Sequence, residues 1–357
     1  MSATAFGIVG GGWRADFFLR QARALPDRFR VSGVLARDPG RRERIAADWG
    51  VPGLATLDEL LADRPAFVVV ATPWAATPGL LHELHARGVP ALAETPPAPD
   101  VAGLRGLRSL DRAGARIQVA EQYQFQPLHA ARLALAGSGK LGVVSEVQVS
   151  VAHGYHGIDL MRRFLHIDAE PVTITARRFH APIAAGPDRA GPPREERTAE
   201  STQTVALFEF AGRLGLFDFT DDQYFSWIRA LRLVVRGDRG EIVDTKARYL
   251  LDATTPVSVE LMRRDTGQAG NLEGLYHAGI TLGEEWLYRN PFAPARLTDD
   301  EIAVATCLAR MAEYVEGGAP FSSLADAAQD HYLGLRMDEA AESGQAVRVT
   351  GHVWDGS

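Results

Sequence analysis

Six residues near the start of the chain form a turn of a kind that binds phosphate. They follow a short apolar run, Phe6–Val9, and open a segment with helical spacing, Trp13–Leu25. The six residues are Gly10, Gly11, Gly12, Trp13, Arg14 and Ala15. In the pattern G-x-G-x-x-A, the first glycine permits a tight turn, the second lets the backbone approach a pyrophosphate, and the alanine allows close helix–strand packing. The free N–H groups at the helix start favour anions. This context predicts a dinucleotide-binding site, and the alternative is a glycine turn without a ligand.

The end of the second predicted strand bears on the choice of dinucleotide. An acidic residue about twenty positions after the glycines would hydrogen-bond the ribose hydroxyls of NAD, whereas an arginine there can pair with the 2′-phosphate of NADP. Ala36 and Arg37 occupy this position, and three more arginines follow on the next helix: Arg41, Arg42 and Arg44. The pattern favours NADP as cofactor, with NAD as the alternative. The alternative interpretation is that the arginines form only a solvated helix face and that Asp38 is only a helix cap.

A second set of residues could transfer protons. His156 and Asp159 are spaced i, i+3, so they share a helix face, and the carboxylate could orient the imidazole. A neutral histidine can remove the hydroxyl proton when an alcohol carbon loses hydride. Tyr123, which follows the last strand of the first domain, is a second candidate proton donor. The alternatives are a hydrogen-bonded histidine in an interdomain core and a tyrosine that only packs.

The elements that must position these residues fall into two groups, so we expect two domains. Residues 1–122 alternate strands and helices, which predicts an α/β Rossmann domain with a parallel sheet. Residues 123–357 carry consecutive strand candidates, which predicts an α+β substrate-binding and dimerisation domain with a large open, mostly antiparallel sheet. Ile183–Ser201 is rich in Pro, Gly, Arg and Glu, which indicates a mobile surface loop.

Composition narrows the class of protein. The chain has 357 residues, a formal net charge of −7 and one cysteine, Cys307, in an apolar helical pattern that indicates a buried core residue. We find no basic stretch typical of nucleic-acid binding, no apolar run long enough for a membrane span, and no histidine or cysteine cluster with metal-ligand spacing. We therefore expect a cytoplasmic protein that acts on a small molecule, without nucleic acid, membrane or metal. We also expect it to form a homo-oligomer through its C-terminal sheet.

Several motifs together resemble the glucose–fructose oxidoreductase, inositol dehydrogenase and MocA family (Gfo/Idh/MocA). The resemblance covers nearly the whole length of the chain. Its motifs are the glycine turn, Thr72-Pro73 after the third strand, Glu94 before Pro96, Gly139-Lys-Leu-Gly142, and His156-Gly-Ile-Asp159-Leu. The resemblance implies a Rossmann domain followed by an open-sheet domain, and hydride transfer with sugars, cyclitols and related polyols. It places Thr72, Pro73 and Glu94 beside the cofactor. Trp74 stands where the family pattern Thr-Pro-Asn-x-x-His has asparagine, and it could either wall the nicotinamide pocket or make a plain hydrophobic contact.

The sequence departs from the family pattern at the proton-transfer residues. Thr95 stands where the family has the lysine of Glu-Lys-Pro, and Ala152 stands where it often has aspartate, four residues before the motif histidine. We therefore predict an NAD(P)-dependent oxidoreductase with an atypical active site, acting on a sugar-like or other polar small molecule. The alternatives are a redox-neutral enzyme with a tightly held cofactor (glycoside cleavage or isomerisation) and a dinucleotide-binding protein without catalysis.

Overall fold

The first part of the chain forms a six-stranded parallel sheet with intervening helices. The computed structural model describes residues 3–267 and 274–355. Its first elements are β1 (Thr4–Val9), α1 (Trp13–Ala24), β2 (Phe29–Leu35), α2 (Pro39–Trp49), β3 (Gly53–Leu54), α3 (Leu57–Ala62), β4 (Phe67–Val70), α4 (Thr77–Ala86), β5 (Ala91–Ala93), α5 (Val101–Gly106), α6 (Arg108–Arg112) and β6 (Ile117–Val119). The strand order is β3-β2-β1-β4-β5-β6, with every neighbouring pair parallel. This is the order of a doubly wound dinucleotide-binding fold.

Local sequence explains where these elements begin. β4 is Phe-Val-Val-Val and fully buried, as a strand covered by helices on both faces must be. Asp38 accepts a hydrogen bond from the Arg41 N–H at the start of α2, and Thr56 with Glu59 forms a reciprocal capping box at the start of α3. These caps satisfy N–H groups that have no partner within the helix.

The second part of the chain forms an eleven-stranded sheet. Its elements are a 3₁₀ turn (Tyr123–Phe125), α7 (Pro127–Gly137), β7 (Val144–Ser150), α8 (Gly154–Leu165), β8 (Val172–Ala184), β9 (Thr198–Phe210), β10 (Arg213–Thr220), β11 (Arg232–Gly237), β12 (Gly240–Val243), β13 (Lys246–Leu250), β14 (Pro256–Asp265), β15 (His277–Leu282), β16 (Glu285–Arg289), α9 (Asp299–Val315), α10 (Leu324–Ser343) and β17 (Val347–Val349). The order is β16-β15-β14-β13-β12-β11-β7-β10-β9-β8-β17. Only the pair β7–β10 is parallel among the strands of this sheet that the structure describes. The predicted fold class is confirmed.

The predicted loop Ile183–Ser201 is wrong at both ends. β8 continues to Ala184 and β9 begins at Thr198, and the two strands pair along their full length. The reason is that alternation persists into the Pro- and Glu-rich stretch: Ile183 and Ser201 are buried while their neighbours along each strand are less so. Only residues 185–197 lie outside the hairpin.

The last two long helices join the two sheets. Residues of α9, among them Ile302 and the buried Cys307, pack in one hydrophobic cluster with Phe18 and Phe67 of the Rossmann part. Residues of α10 pack both against α8 and against the Rossmann helices. The predicted domain boundary at residues 122 and 123 falls between the sheets, but the chain beyond it contributes to both cores. This packing fixes the carboxyl ends of β4–β6 against the start of α8.

Candidate active site

The glycine turn after β1 has the geometry that a bound pyrophosphate needs. Gly10 has a φ of +123°, and a Cβ there would lie 2.0 Å from the Ala71 carbonyl oxygen, so only glycine fits. Gly12 meets no atom within 4 Å on the side where a Cβ would point. It is also the N-cap of α1 and makes no side-chain capping bond. The Ala15 N–H donates to the Gly12 carbonyl oxygen over 3.0 Å, and no side chain caps the start of the helix, so the turn fits the diphosphate of a dinucleotide.

Arg14 and Glu94 form an ion pair beneath this turn. The Arg14 Nε donates to Glu94 Oε1 over 2.7 Å, and its Nη2 donates to Gln122 Oε1 over 2.6 Å. The network joins the start of α1 to the ends of β5 and β6. Both residues were predicted to contact the cofactor, and the structure places them together at the carboxyl edge of the sheet, where doubly wound folds bind their ligands.

The arginines after β2 differ in their partners. Arg41 pairs with Asp16 over 2.6 Å, Arg42 donates to the carbonyl oxygens of Ala36 and Arg37, and Arg44 lies 3.7 Å from Asp38. The side chain of Arg37 is exposed. Arg41 and Arg42 thus hold α2 against α1 and the segment after β2, and Arg44 lies near the cap of its own helix. Arg37 extends from the end of β2 toward solvent.

His156 lies at the start of α8, in contact with the end of β6. Its Nδ1 is 2.6 Å from Oε2 of Glu121, and both side chains are buried, with exposed fractions of 7% and 4%. No described residue hydrogen-bonds the other ring nitrogen, Nε2. Burial raises the pKa of Glu121 to about 7. Burial, with the positive charge of Arg14, lowers the pKa of His156 to about 3, so the imidazole is neutral at neutral pH.

The expected pairing of His156 with Asp159 is wrong. Asp159 accepts two hydrogen bonds from Nε of Arg163, each 2.8 Å long, one turn further along α8. The imidazole nitrogen that it was expected to orient is held by Glu121 instead. The physical reason is that i, i+4 neighbours also share a helix face, and an opposite charge is the stronger partner for a buried carboxylate. Glu121 was missed, although an acidic residue directly after a buried parallel strand is a recognisable signal.

Aromatic rings surround the His156 imidazole. The Tyr123 ring centre lies 4.5 Å from the imidazole centre and the Tyr155 ring centre lies 4.4 Å away. The Tyr224 hydroxyl is 2.8 Å from His153 Nδ1 and also accepts from the His153 backbone N–H. Burial raises the pKa of Tyr123, and raises that of Tyr224 to about 12, so both hydroxyls stay protonated. Tyr224 comes from the loop after β10, and no sequence motif singled it out.

The two positions that depart from the family pattern border this cluster. The Tyr155 hydroxyl donates to the Thr95 carbonyl oxygen over 3.5 Å, a long hydrogen bond. Ala152 is fully buried just before α8. The phenol of Tyr155 thus reaches the backbone of the residue that stands in the lysine position.

Thr72, Pro73 and Trp74 form the turn after β4. The Thr72 hydroxyl lies 3.0 Å from the hydroxyl of Thr77, which closes the turn. Trp74 is half exposed, and its ring centre lies 6.2 Å from that of His331 on α10. His331 in turn contacts the Tyr155 ring edge-on, at 5.5 Å. Trp74 and the His156 cluster therefore line one continuous surface.

One family model matches the N-terminal part of the chain. Residues 4–122 match the model of GFO_IDH_MocA, an oxidoreductase family with an NAD-binding Rossmann fold. No curated protein matches the sequence.

Solved structures match over almost the whole chain. A levoglucosan dehydrogenase, in complex with NADH and levoglucosan, is 16% identical over 98% of this chain and 100% of that chain, with a TM-score of 0.71. A myo-inositol dehydrogenase from Corynebacterium glutamicum ATCC 13032 is 19% identical over 98% and 99%, with a TM-score of 0.66. GenD2 from gentamicin A biosynthesis, in complex with NAD, is 21% identical over 98% and 97%, with a TM-score of 0.63. At these identities the likeness shows a shared fold.

The N-terminal domain is thus an NAD-binding Rossmann domain of the oxidoreductase class. Residues 4–122 match the Gfo/Idh/MocA model, in agreement with the resemblance of the motifs, and the whole chain shares the two-domain fold of the solved dehydrogenases. Within residues 3–267 and 274–355, no group of three or more His, Cys, Asp or Glu side chains is placed to hold a metal ion. No helix in the described part of the chain is long and apolar enough to cross a membrane.

Proposed function

We propose that this chain is an NAD(P)-dependent oxidoreductase that uses His156, held by Glu121, to transfer a proton to or from a sugar-like or other polar small molecule. The observation that carries the proposal is the 2.6 Å contact between the two buried side chains at the carboxyl edge of the Rossmann sheet. The fold shared with dehydrogenases named for levoglucosan and myo-inositol supports a polyol-like substrate class.

The residues that would hold the cofactor follow from their positions. Gly10–Ala15 would bind the diphosphate, Ala36 and Arg37 the adenosine ribose, and Thr72-Pro73-Trp74 with Glu94 the nicotinamide end. A bound oxidised nicotinamide would accept the hydride that leaves an alcohol carbon, and a reduced one would return it. The protein must then take up, or give back, one proton at the substrate oxygen.

His156 can do this in one tautomer. When Glu121 is ionised, it accepts the Nδ1–H hydrogen bond, and Nε2 keeps a lone pair that can accept the proton of a substrate hydroxyl. The negative charge of Glu121 then compensates the imidazolium that forms. When Glu121 is protonated, it donates to Nδ1, the ring proton moves to Nε2, and the base is lost.

The pH dependence follows from the raised pKa of Glu121. Because that pKa is about 7, the base form prevails above pH 7 and disappears as the pH falls through it. Alcohol oxidation should therefore accelerate as the pH rises through neutrality. Carbonyl reduction needs the protonated pair, so its rate should increase as the pH falls through neutrality.

The tyrosines around His156 complement it. Tyr123 stays protonated over the working pH range, so it can donate a hydrogen bond to a substrate oxygen but is a poor base. Thr95 occupies the lysine position of the family pattern, and Ala152 occupies the aspartate position. Among the described residues near the Tyr155 phenol, Glu121 and His156 form the buried titratable pair that can transfer a proton. We therefore expect glucose and myo-inositol to react slowly, because a lysine-based site is not reproduced.

We also propose that NADP(H) binds more tightly than NAD(H). Arg37 stands at the end of β2 in place of an acidic residue, and its exposed guanidinium can pair with a 2′-phosphate. Five of the similar solved structures hold NAD or NADH, which makes NAD the alternative that a direct binding comparison must exclude.

The test is a screen of the purified full-length protein with NAD⁺ and NADP⁺ against a panel of polyols, sugars and sugar acids that includes levoglucosan, myo-inositol and glucose. We expect the wild-type protein to form reduced nicotinamide with at least one of them, and His156→Ala to form it about 10²–10⁴-fold more slowly. If no substrate reacts but denatured protein releases a bound dinucleotide, the redox-neutral alternative is favoured. If it neither reacts nor binds a dinucleotide, the proposal is wrong.

A further inference from the structure

The loop between β8 and β9 (residues 185–197) is built to present one arginine. The Asp188 N–H donates to the Gly191 carbonyl and the Gly191 N–H donates back to the Asp188 carbonyl, both over 3.0 Å. The Asp188 carboxylate also accepts the Ala190 N–H over 2.7 Å. Gly191 has a φ of +118°, which favours glycine. Arg189 therefore sits at the tip of a hydrogen-bonded turn.

Arg189 reaches the glycine turn of the other domain. Its guanidinium carbon lies 4.0 Å from the ring centre of Trp13, the first residue of α1. Trp13 is half exposed and follows Gly12, whose backbone faces open space. An arginine stacked on an aromatic face keeps the N–H groups at its edges available for hydrogen bonds.

The charge of Arg189 has no acidic partner within the described residues. No described carboxylate forms an ion pair with it, since that of Asp188 accepts a backbone N–H of the same turn. The positive charge of Arg189 also acts on His153, beside His156. Partial burial, then the charges of His156 and Arg189, lower the pKa of His153. An anion bound beside the N-terminus of α1 would be stabilised both by the unpaired guanidinium of Arg189 and by the helix dipole.

We propose that Arg189 is a cofactor-binding residue whose guanidinium, stacked on Trp13, hydrogen-bonds the diphosphate of the bound dinucleotide from the side of the second domain. The inference rests on the proposed dinucleotide binding and adds to it a residue that the glycine motif does not contain. The β8–β9 loop then forms part of the cofactor site.

The test measures binding, so it does not depend on the substrate. Isothermal titration calorimetry of the full-length protein would compare NADPH, NADH and ADP-ribose, which keeps the diphosphate but lacks the nicotinamide. We expect Arg189→Ala to weaken all three by about tenfold to hundredfold, since a hydrogen bond to a charged group is lost, and Arg189→Lys to fall between. Arg194→Ala, which removes an exposed arginine from the same loop, is the matched control and should change affinity less than about twofold.

Three results would overturn the inference. Arg189→Ala that binds like Arg194→Ala would show that Arg189 does not contact the cofactor. Weaker NADH and NADPH binding with unchanged ADP-ribose binding would move its contact from the diphosphate to the nicotinamide end. Wild-type protein that binds none of the three would refute the proposed function itself, and the inference with it.

Discussion

The glycine turn that we propose binds phosphate and the His156–Glu121 pair that we propose transfers a proton lie at the same edge of one sheet, yet they are built in opposite ways. The turn is made by six consecutive residues, and its function depends on backbone N–H groups and on two glycines that leave them accessible. The proton-transfer pair joins residues 35 positions apart, and the surrounding Tyr224 and His153 are 71 apart. The first is encoded locally, and the second exists only after the two domains have packed together.

The two regions also differ in solvent exposure, and this sets their chemistry. The phosphate site is open at Gly12 and Trp13, so charges there are screened and the dinucleotide can enter. His156 and Glu121 are buried, so neither can hold a charge without cost, and the pKa of the carboxyl moves to about 7. In the proposed function, this burial makes the pair able to change its protonation state near neutral pH. The variants below separate the two regions.

The largest effect should come from removing the proton-transfer group. His156→Ala should lower kcat on the substrate that the screen identifies by about 10²–10⁴-fold, the usual contribution of a general acid–base group. Cofactor affinity should stay the same, because the phosphate site is separate. Steady-state kinetics and calorimetry with NADPH check both statements. Near-wild-type turnover in a folded variant would make His156 structural and Tyr123 the leading candidate.

The next largest effect concerns folding. Asp159→Asn weakens a buried ion pair with Arg163, and the free energy of unfolding should fall by about 3 kcal/mol. The pH dependence of turnover should remain, because Asp159 does not touch the imidazole. Urea unfolding and a pH profile measure the two quantities. A variant with normal stability and an altered pH profile would restore the role that the helix spacing first suggested.

A smaller effect is expected in the phosphate site. Gly12→Val places a side chain in open space, so the protein should fold and keep its melting temperature. The side chain should block the approach of the diphosphate and weaken NADPH binding at least tenfold, or about 1.4 kcal/mol. Gly79→Val serves as control, since it also meets open space but lies outside the turn. Equal binding by both variants would show that the turn does not hold the cofactor.

The smallest effect concerns the choice of cofactor. NADPH should raise the melting temperature more than NADH at equal concentration, and Arg37→Ala should reduce the preference by roughly fivefold, or about 1 kcal/mol, as for an exposed charge pair. Arg44→Ala is the control, because Arg44 is exposed on the adjoining helix and lies near Asp38. Equal or larger stabilisation by NADH would assign NAD as the preferred cofactor.

The same contrast explains how much of the molecule could be predicted from the sequence. The Rossmann elements and the Gly10–Ala15 turn follow from periodicity, caps and a contiguous motif, and the structure and the family match confirm the fold. Glu121 was missed because no pattern in the sequence around it indicates that its partner is His156, 35 positions away. Its position directly after β6 could be read from the sequence. The helix spacing permits Asp159 to pair with either His156 or Arg163. Only the packing of α8 against the end of β6, which brings Glu121 to His156, decides between the two partners.

The most direct test of the account is the tautomer of His156, followed by nitrogen-15 NMR of histidine-labelled protein across the neutral pH range. We predict a neutral ring with its proton on Nδ1 above pH 7, and a shift of that proton toward Nε2 as Glu121 becomes protonated at a pKa of about 7. The transition should be absent in Glu121→Gln. An imidazole that becomes charged near its ordinary pKa of about 6.5, alike in both proteins, would contradict the proposed proton-transfer pair.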